Sequence, residues 1–521
     1  MKANYDVVII GTGAGGGTIL RKLAEPDNNL SILVLERGGF LPKEKDNWDT
    51  NSVFKDERYH TSEKWSDSKG REFVPGTGYW VGGNTKVYGA ALFRLREQDF
   101  QEIRHHGGIS PAWPIAYSEL EPYYTQAERI YSVHGTKGED KTEPPSSGEF
   151  PFPAVSHEPR IQEVSDLLKK KGLNPFPIPL GVKLNEESPH MSACIRCDTC
   201  DGFPCLVNAK SDADIDCVRP QLSKPSVELI TGATATRLYA SSDGSRITEV
   251  EFEKGGKIQK VSGDTVIVAC GAVNSAVLLL NSRDKHHPEG LANRSGMVGR
   301  NFMKHNNGAI LGVTSKPNPT TFQKTLACND FYWGDEEFSY PMGHVQLLGK
   351  VNKDMLAADA PPFTPKFVLE KMASHSIDWW LTGEDLPDPE NRVQVKDGKI
   401  HLHYKENNLK GFERLMKKWS RLLRSIDCGN DIIPLSLYFR RKIPIQGIGH
   451  QCGTCRFGLD PETSVLDVNC KAHDLENLYV VDGSFFPSSG AVNPSLTIMA
   501  NALRVGDHLL KQWRSASKKP M

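Results

Sequence analysis

Gly11, Gly13 and Gly16 stand in a G-x-G-x-x-G spacing, directly after the apolar run YDVVII at 5–10 and just before TILRKLAE, which has helical periodicity. Strand, tight turn and helix in that order leave backbone N–H groups and the positive end of a helix facing the turn, an arrangement that receives a pyrophosphate. Glu36 closes a second strand-like run, SILVLERG, 20 residues beyond Gly16. A carboxylate there can accept hydrogen bonds from an adenosine ribose. The spacing implies a bound dinucleotide without choosing between nicotinamide and flavin. A second constellation, CIRCDTCDGFPC, puts Cys194, Cys197, Cys200 and Cys205 within 12 residues, with Cys217 nearby. Their x2, x2, x4 spacing partly matches the ferredoxin run, whose last spacing is x3 followed by Pro. It crowds the thiols more than paired zinc knuckles do. Iron–sulfur cluster, structural zinc and ordinary loop thiols all stay open on spacing alone.

These groups need elements to hold them. The stretch from about 40 to 110 is polar and rich in Gly and Asp, without a sustained period, and reads as loops that cover something. Residues 113–134 read as an amphipathic helix with Ser118 as its N-cap, ahead of Glu121. Strand-like runs return at 227–231 and 247–253, and VIVAC at 266–270 leads into GAVNSAVLLLNS, a second strand-to-helix turn. From about 305 to 445 the alternating segments AILGVTS, GHVQLLGKV and NRVQVKDGKIHLHYKEN, followed by the helical KGFERLMKKWSRLLRSI, predict a largely antiparallel sheet backed by helices. The last 75 residues return to Gly-rich motifs and end in a helix. The expected fold is therefore α/β: a discontinuous Rossmann-like lobe from residues 1–304 and 446–521, with the segment near 190–220 inserted. A substrate lobe spans 305–445.

Composition narrows the partners. The 63 Lys and Arg against 64 Asp and Glu give a formal net charge of −1, which offers no electrostatic footprint for nucleic acid or an anionic membrane. No run approaches the roughly 18–20 apolar residues of a membrane span. The start MKANYDVVIIGTGAG runs straight into a strand instead of a signal peptide, so a cytoplasmic location is expected. Eleven cysteines, an odd count without such a signal, point to free thiols or metal ligands.

Five further segments, in order along the chain, carry a resemblance: WVGGNTKVYGAALFR at 80–94, GAVNSAVLLLNS at 271–282, VGRNF at 298–302, GIGHQCGTCRFGLDPETSVLD, and NLYVVDGSFFPSSGAVNPSLTIMANALR. Together with the glycine fingerprint they resemble the glucose–methanol–choline oxidoreductases. The branch that holds pyranose 2-oxidase and the gluconate and fructose dehydrogenase large subunits is the nearest in character. The resemblance implies FAD at the fingerprint. It also implies that Gly82, Gly83 and Asn84 form a loop folded over the isoalloxazine, and that Asp482 and Gly483 form a turn near the ribityl and pyrophosphate portion. Some relatives attach FAD to a histidine in or after that loop; Asn84, Thr85, Lys86, Val87 and Tyr88 stand here, so non-covalent FAD is expected.

Oxidising an alcohol on flavin needs a base for the hydroxyl proton while hydride leaves carbon. His450 sits where the family keeps its catalytic histidine, and Asn493 where the family has His or Asn. An amide can hold the substrate oxygen but cannot act as a base; capping the last helix is its alternative role. The resemblance therefore implies oxidation of a primary or secondary alcohol, on a sugar, glycoside or polyol, to aldehyde or ketone. Trp333, Trp379, Trp380 and Tyr404 could stack on a sugar ring or pack a core. The electron acceptor is oxygen, or else a quinone, cytochrome or partner protein. A cysteine segment similar to 194–205 carries an iron–sulfur cluster in some members of the dehydrogenase branch. The family also includes hydroxynitrile lyases, which bind FAD without net redox.

Overall fold

The computed structural model describes residues 4–516 apart from 29, 362, 427–439, 443 and 448. The fingerprint strand Asn4–Ile10 lies at the centre of a seven-stranded sheet, parallel to Ile32–Glu36 on one side and to Lys257–Val268 on the other. Val227–Thr231 continues the parallel set beyond Ile32–Glu36, and Leu478–Val480 pairs in parallel with the end of Lys257–Val268. Val7 to Ile10 and Ile32 to Leu35 are buried almost completely. Covered on both faces, these strands are continuous apolar runs without alternation. Ile247–Lys254 and Thr234–Ala240 extend the sheet as antiparallel strands. The sheet thus draws strands from the start, the middle and the end of the chain.

A six-stranded antiparallel sheet forms the second layer, in the order Arg440–Lys442, Asn306–Val313, Ser376–Gly383, His344–Leu347, Leu326–Cys328, Pro175–Pro177. Helix Leu409–Ser425 packs on it through Phe412, Leu415, Met416, Trp419 and Leu423, which recur at i, i+3, i+4 and i+7 on one face as an amphipathic helix requires. Trp379 and Trp419 meet edge to face at 4.9 Å inside this core. The hairpin Arg392–Lys396 and Lys399–His403 joins a separate four-stranded sheet with Trp65–Asp67 and Glu72–Phe73. The early loop region is thereby tied to the later lobe.

The expected helix near 113–134 is present as Tyr117–Ile130, but its N-cap is Ala116 and Ser118 lies inside the first turn. Ala116 N–H instead donates to the Glu119 carboxylate at 3.0 Å, which occupies the cap in place of a serine oxygen.

Candidate active site

The fingerprint turn is built by close backbone approach. A Cβ on Gly16 would stand 2.0 Å from the Gly11 carbonyl oxygen, and one on Gly15 2.1 Å from that of Val481. Gly11 itself adopts φ +98°. Gly13 differs: φ is −66° and an added Cβ meets nothing within 4 Å. Helix Ala14–Leu23 has no side-chain cap and no acidic residue in its first turn. Its orphan N–H groups and positive dipole end therefore face open space in front of Gly13. That space suits an anionic pyrophosphate.

Glu36 is 5% exposed and accepts from Thr12 N–H at 3.0 Å, Thr12 Oγ1 at 2.5 Å and Gly38 N–H at 2.8 Å. Burial pushes its carboxyl pKa up, and these donors oppose the shift. Three bonds fill most of about four acceptor sites and leave room for a ribose hydroxyl. Gly82 N–H donates to Thr12 Oγ1 at 3.0 Å, and a Cβ on Gly83 would lie 3.1 Å from Gly13 Cα. The 82–86 loop is thus seated on the fingerprint turn, and Lys86 anchors it from below through Asp212 at 2.9 Å and Asp214 at 3.0 Å, all three buried. Asn84 holds its own loop, accepting from Gly78 N–H at 2.7 Å and donating to the Gly76 carbonyl at 3.2 Å.

Asp482 ties the two strand-to-helix turns together. Its carboxylate accepts from Gly271 N–H at 3.0 Å, Ser275 Oγ at 2.5 Å, Ser484 N–H at 2.9 Å and Ser484 Oγ at 2.6 Å. With its acceptor sites filled, the side chain braces the site, while the adjoining backbone lies against Gly15. Gly483 is required by contact, since its Cβ would meet the Gln451 carbonyl at 2.4 Å.

His450 is held between these parts. Cys452 and Met303 exchange backbone hydrogen bonds at 2.9 and 3.0 Å, and Gly453 N–H donates to the Gly483 carbonyl at 3.1 Å. Gly449 abuts the Asn84 amide, and Gln451 donates to Thr77 Oγ1 at 3.2 Å. The half-buried His450 places Nδ1 3.0 Å from Nδ1 of the fully buried His305. Burial, aided by His305, pushes the His450 pKa down to about 3, so its imidazole is neutral at ordinary pH. Among the described residues His450 Nε2 has no hydrogen-bond partner. Asn493, also half-buried, precedes helix Ser495–Ala516, and its amide has none either, so no capping bond is present.

His305 escaped the sequence reading, although it lies three residues beyond the recognised VGRNF; no feature of a lone histidine distinguished it. Beside the 489–491 loop lies a small, partly open pocket lined by Asp99, His105, Tyr332, Trp333, Glu384 and Ala491 among others. Glu384 accepts from Gly490 N–H at 3.2 Å and Ser110 Oγ at 2.7 Å, while Tyr332 donates to Asp99 at 3.0 Å and accepts from Ala491 N–H at 3.0 Å. Of the four aromatic residues considered for sugar stacking, Trp333 lines this pocket and Trp379 is buried in the core. Trp380 donates to Thr382 Oγ1 and Tyr404 to Asp385.

Of the three readings open for the cysteine segment, neither metal reading gains support from the structure. Among the described residues no three His, Cys, Asp or Glu side chains gather as a group able to hold a metal ion, so Cys194, Cys197, Cys200 and Cys205 form no such site. Cys205 Sγ accepts from the N–H groups of Ala209 at 3.3 Å and Lys210 at 3.4 Å. Buried Lys210 donates to the carbonyls of Cys200 at 2.6 Å and Phe203 at 2.8 Å, which ties the loop together. Burial pushes the Cys194 thiol up to about 12.

A cradle of this form, with a neutral histidine held against it, is that of a dinucleotide-dependent oxidoreductase. Comparison with known proteins makes the class specific. Residues 5–307 match the N-terminal and 435–502 the C-terminal part of the GMC oxidoreductases, and the chain belongs to that family, with FAD as cofactor. It is 30% identical over 96% of its length to paromamine 6′-oxidase of Streptomyces fradiae, covering 90% of that protein. Identity to the fructose dehydrogenase large subunit of Gluconobacter japonicus is 25%, over 98% of both chains. The solved structure of pyridoxine 4-oxidase from Mesorbium loti shares the fold, with a TM-score of 0.67 at 18% identity over 98% of this chain and 99% of that one.

Proposed function

We propose that the chain oxidises a primary or secondary alcohol of a sugar, glycoside or polyol to the aldehyde or ketone. The observation that carries this reading is the unpartnered Nε2 of His450, on a segment bonded to the 482–483 turn of a glycine cradle that fits FAD; the Asn493 amide, further along the chain, is likewise unpartnered among the described residues. FAD, when bound, supplies at its N5 atom the acceptor for the hydride that leaves the substrate carbon. His450, neutral because its ring is buried, takes the hydroxyl proton on Nε2. The Asn493 N–H donates to the same oxygen and offsets the charge that develops there. Gly11, Gly13 and Gly16 would hold the pyrophosphate, Glu36 the ribose, and the braced 82–84 and 482–483 segments the remaining length of the cofactor.

The substrate class draws support from the names of relatives that act on fructose, on paromamine at its 6′ position and on 2-methyl-1,2-propanediol. These names include both oxidases and dehydrogenases, and in this reading the second half-reaction uses oxygen, a quinone, a cytochrome or a protein. The sheet built on Asn4–Ile10 belongs to the cofactor lobe, and the six-stranded sheet with helix Leu409–Ser425 to the lobe that covers the substrate, Pro175–Pro177 reaching into it from the N-terminal part. Anaerobic mixing of the FAD-loaded protein with a panel of sugars and polyols tests the reading. Bleaching of the flavin band by at least one alcohol is the expected result. A flavin that no alcohol bleaches, with cleavage of a hydroxynitrile instead, would establish a lyase on the same scaffold.

A further inference from the structure

We propose that His305 is a positioning residue that selects the tautomer of His450 and so makes Nε2 the proton-accepting nitrogen. The inference rests on the reading of His450 as the base. His305 Nε2 lies 3.2 Å from the Ser489 carbonyl oxygen, which can only accept, so Nε2 carries the His305 proton. Burial pushes the His305 pKa down, and a neutral imidazole has one N–H. Its Nδ1 is therefore a bare lone pair. His450 Nδ1, 3.0 Å away, must be the donor in that bond. With its single proton committed, His450 presents an unprotonated Nε2. Left to itself, an imidazole could place its proton on either nitrogen, and half of this alternative is useless to a base that must work through Nε2.

A second observation is independent of the proton count. His305 adopts φ +62°, the left-handed region that L side chains avoid, at a fully buried position. The structure imposes it through Asp385, whose carboxylate accepts from Lys304 N–H and His305 N–H, each at 2.9 Å, and from Tyr404 OH at 2.9 Å. The bent backbone turns the His305 ring at 89° to that of His450, with centroids 5.2 Å apart. Strain concentrated at one residue beside a reacting group is the pattern of a pre-organised site.

The test uses FAD-loaded protein labelled with ¹⁵N-histidine, the His450 signals being assigned by their loss in His450→Gln. Imidazole nitrogen shifts separate a protonated from a bare nitrogen. The wild type is expected to show His450 with Nδ1–H and a bare Nε2. His305→Asn, whose Oδ1 can accept from Nδ1–H and which tolerates a left-handed φ, keeps that tautomer and reduces its flavin within a few-fold of the wild-type rate. His305→Leu lacks any acceptor; it shows mixed tautomers and reduces its flavin on the order of 10²-fold more slowly. A wild-type His450 protonated on Nε2, or an unchanged tautomer in His305→Leu, overturns the proposal. The spectra need no substrate, so they decide the tautomer even if no alcohol bleaches the flavin and the reading of the reaction fails.

Discussion

Replacing Gly13 with alanine separates what the protein needs at the fingerprint from what the cofactor needs. Gly13 has φ −66° and ψ −163°, which alanine adopts without strain, and a Cβ there meets no protein atom within 4 Å. The folded chain should therefore tolerate the methyl, and a Gly to Ala change at a compatible position stabilises by about 0.4–1 kcal/mol through the unfolded state. The same methyl enters the space assigned to the pyrophosphate. Overpacking costs about 1–3 kcal/mol, which weakens FAD binding by roughly 5- to 150-fold. Gly16→Ala is the control, because its Cβ lies 2.0 Å from the Gly11 carbonyl oxygen and 3.1 Å from Ala269 Cβ, so the turn is damaged with or without FAD. The assay is FAD titration by flavin fluorescence together with thermal unfolding of apoprotein and holoprotein. Gly13→Ala should lose affinity at full apoprotein stability, whereas Gly16→Ala should lose both. Wild-type FAD affinity in Gly13→Ala would refute the placement of the pyrophosphate before Gly13.

His450→Gln should keep FAD yet slow flavin reduction by about 10²- to 10⁴-fold. In the wild type a base held neutral down to about pH 3 predicts a rate that is level from pH 5 to 8, and an acid limb centred near pH 6.5 would contradict it. Asp99, 3% exposed, has its pKa pushed up to about 7 by burial and then by Glu384. A raised carboxyl stabilises the fold fully below its unfolded value near 3.8 and loses that contribution as pH rises through about 7, a span worth about 4 kcal/mol. Asp99→Asn, which still accepts from Tyr332, should gain stability relative to wild type between pH 5 and pH 8 in denaturant unfolding; a relative loss would show that Asp99 is not buried as an acid. Metal analysis of the holoprotein should find flavin without stoichiometric iron, and substitution of Cys197 by serine should leave the flavin spectrum unchanged; iron with acid-labile sulfide would reverse the assignment of the cysteine loop.

The parts of the fold that a local pattern dictates were readable in advance. Strand, glycine turn and helix at 5–24 form a unit whose geometry follows from three missing side chains, and the helix at 409–425 announces itself by its apolar spacing. Sheet membership was harder. The hairpin Arg392–Lys396 and Lys399–His403 has the alternation of its neighbours in sequence, yet it pairs in parallel with Trp65–Asp67, some 330 residues away. Alternation records that one face is buried and says nothing of the partner strand. The N-cap of Tyr117–Ile130 failed for a related reason, because Glu119 reaching back to Ala116 satisfies the helix start as well as a serine would. Cysteine spacing left three readings open, and in the fold Lys210 and backbone amides bond within the loop.

The candidate site shows why motif reading reaches some of its members and not others. His450 and Asn493 sit inside recognisable segments, but the residue that fixes the state of His450 lies 145 positions upstream and meets it only through the fold. Three segments run together here: 301–305, 450–457 and 482–489. Met303 pairs with Cys452, Gly453 with Gly483, and His305 with Ser489. The first two contacts are main-chain bonds and the third joins the His305 ring to a main-chain carbonyl, so the protonation of one imidazole depends on the register of three stretches of chain, and Asp482 holds the third of these to the 271–275 turn of the cradle. The cradle and the base are thereby parts of one rigid assembly. A change that loosens Asp482 should reach the chemistry at His450 as well as the cofactor, and a side chain that only filled space would not couple the two.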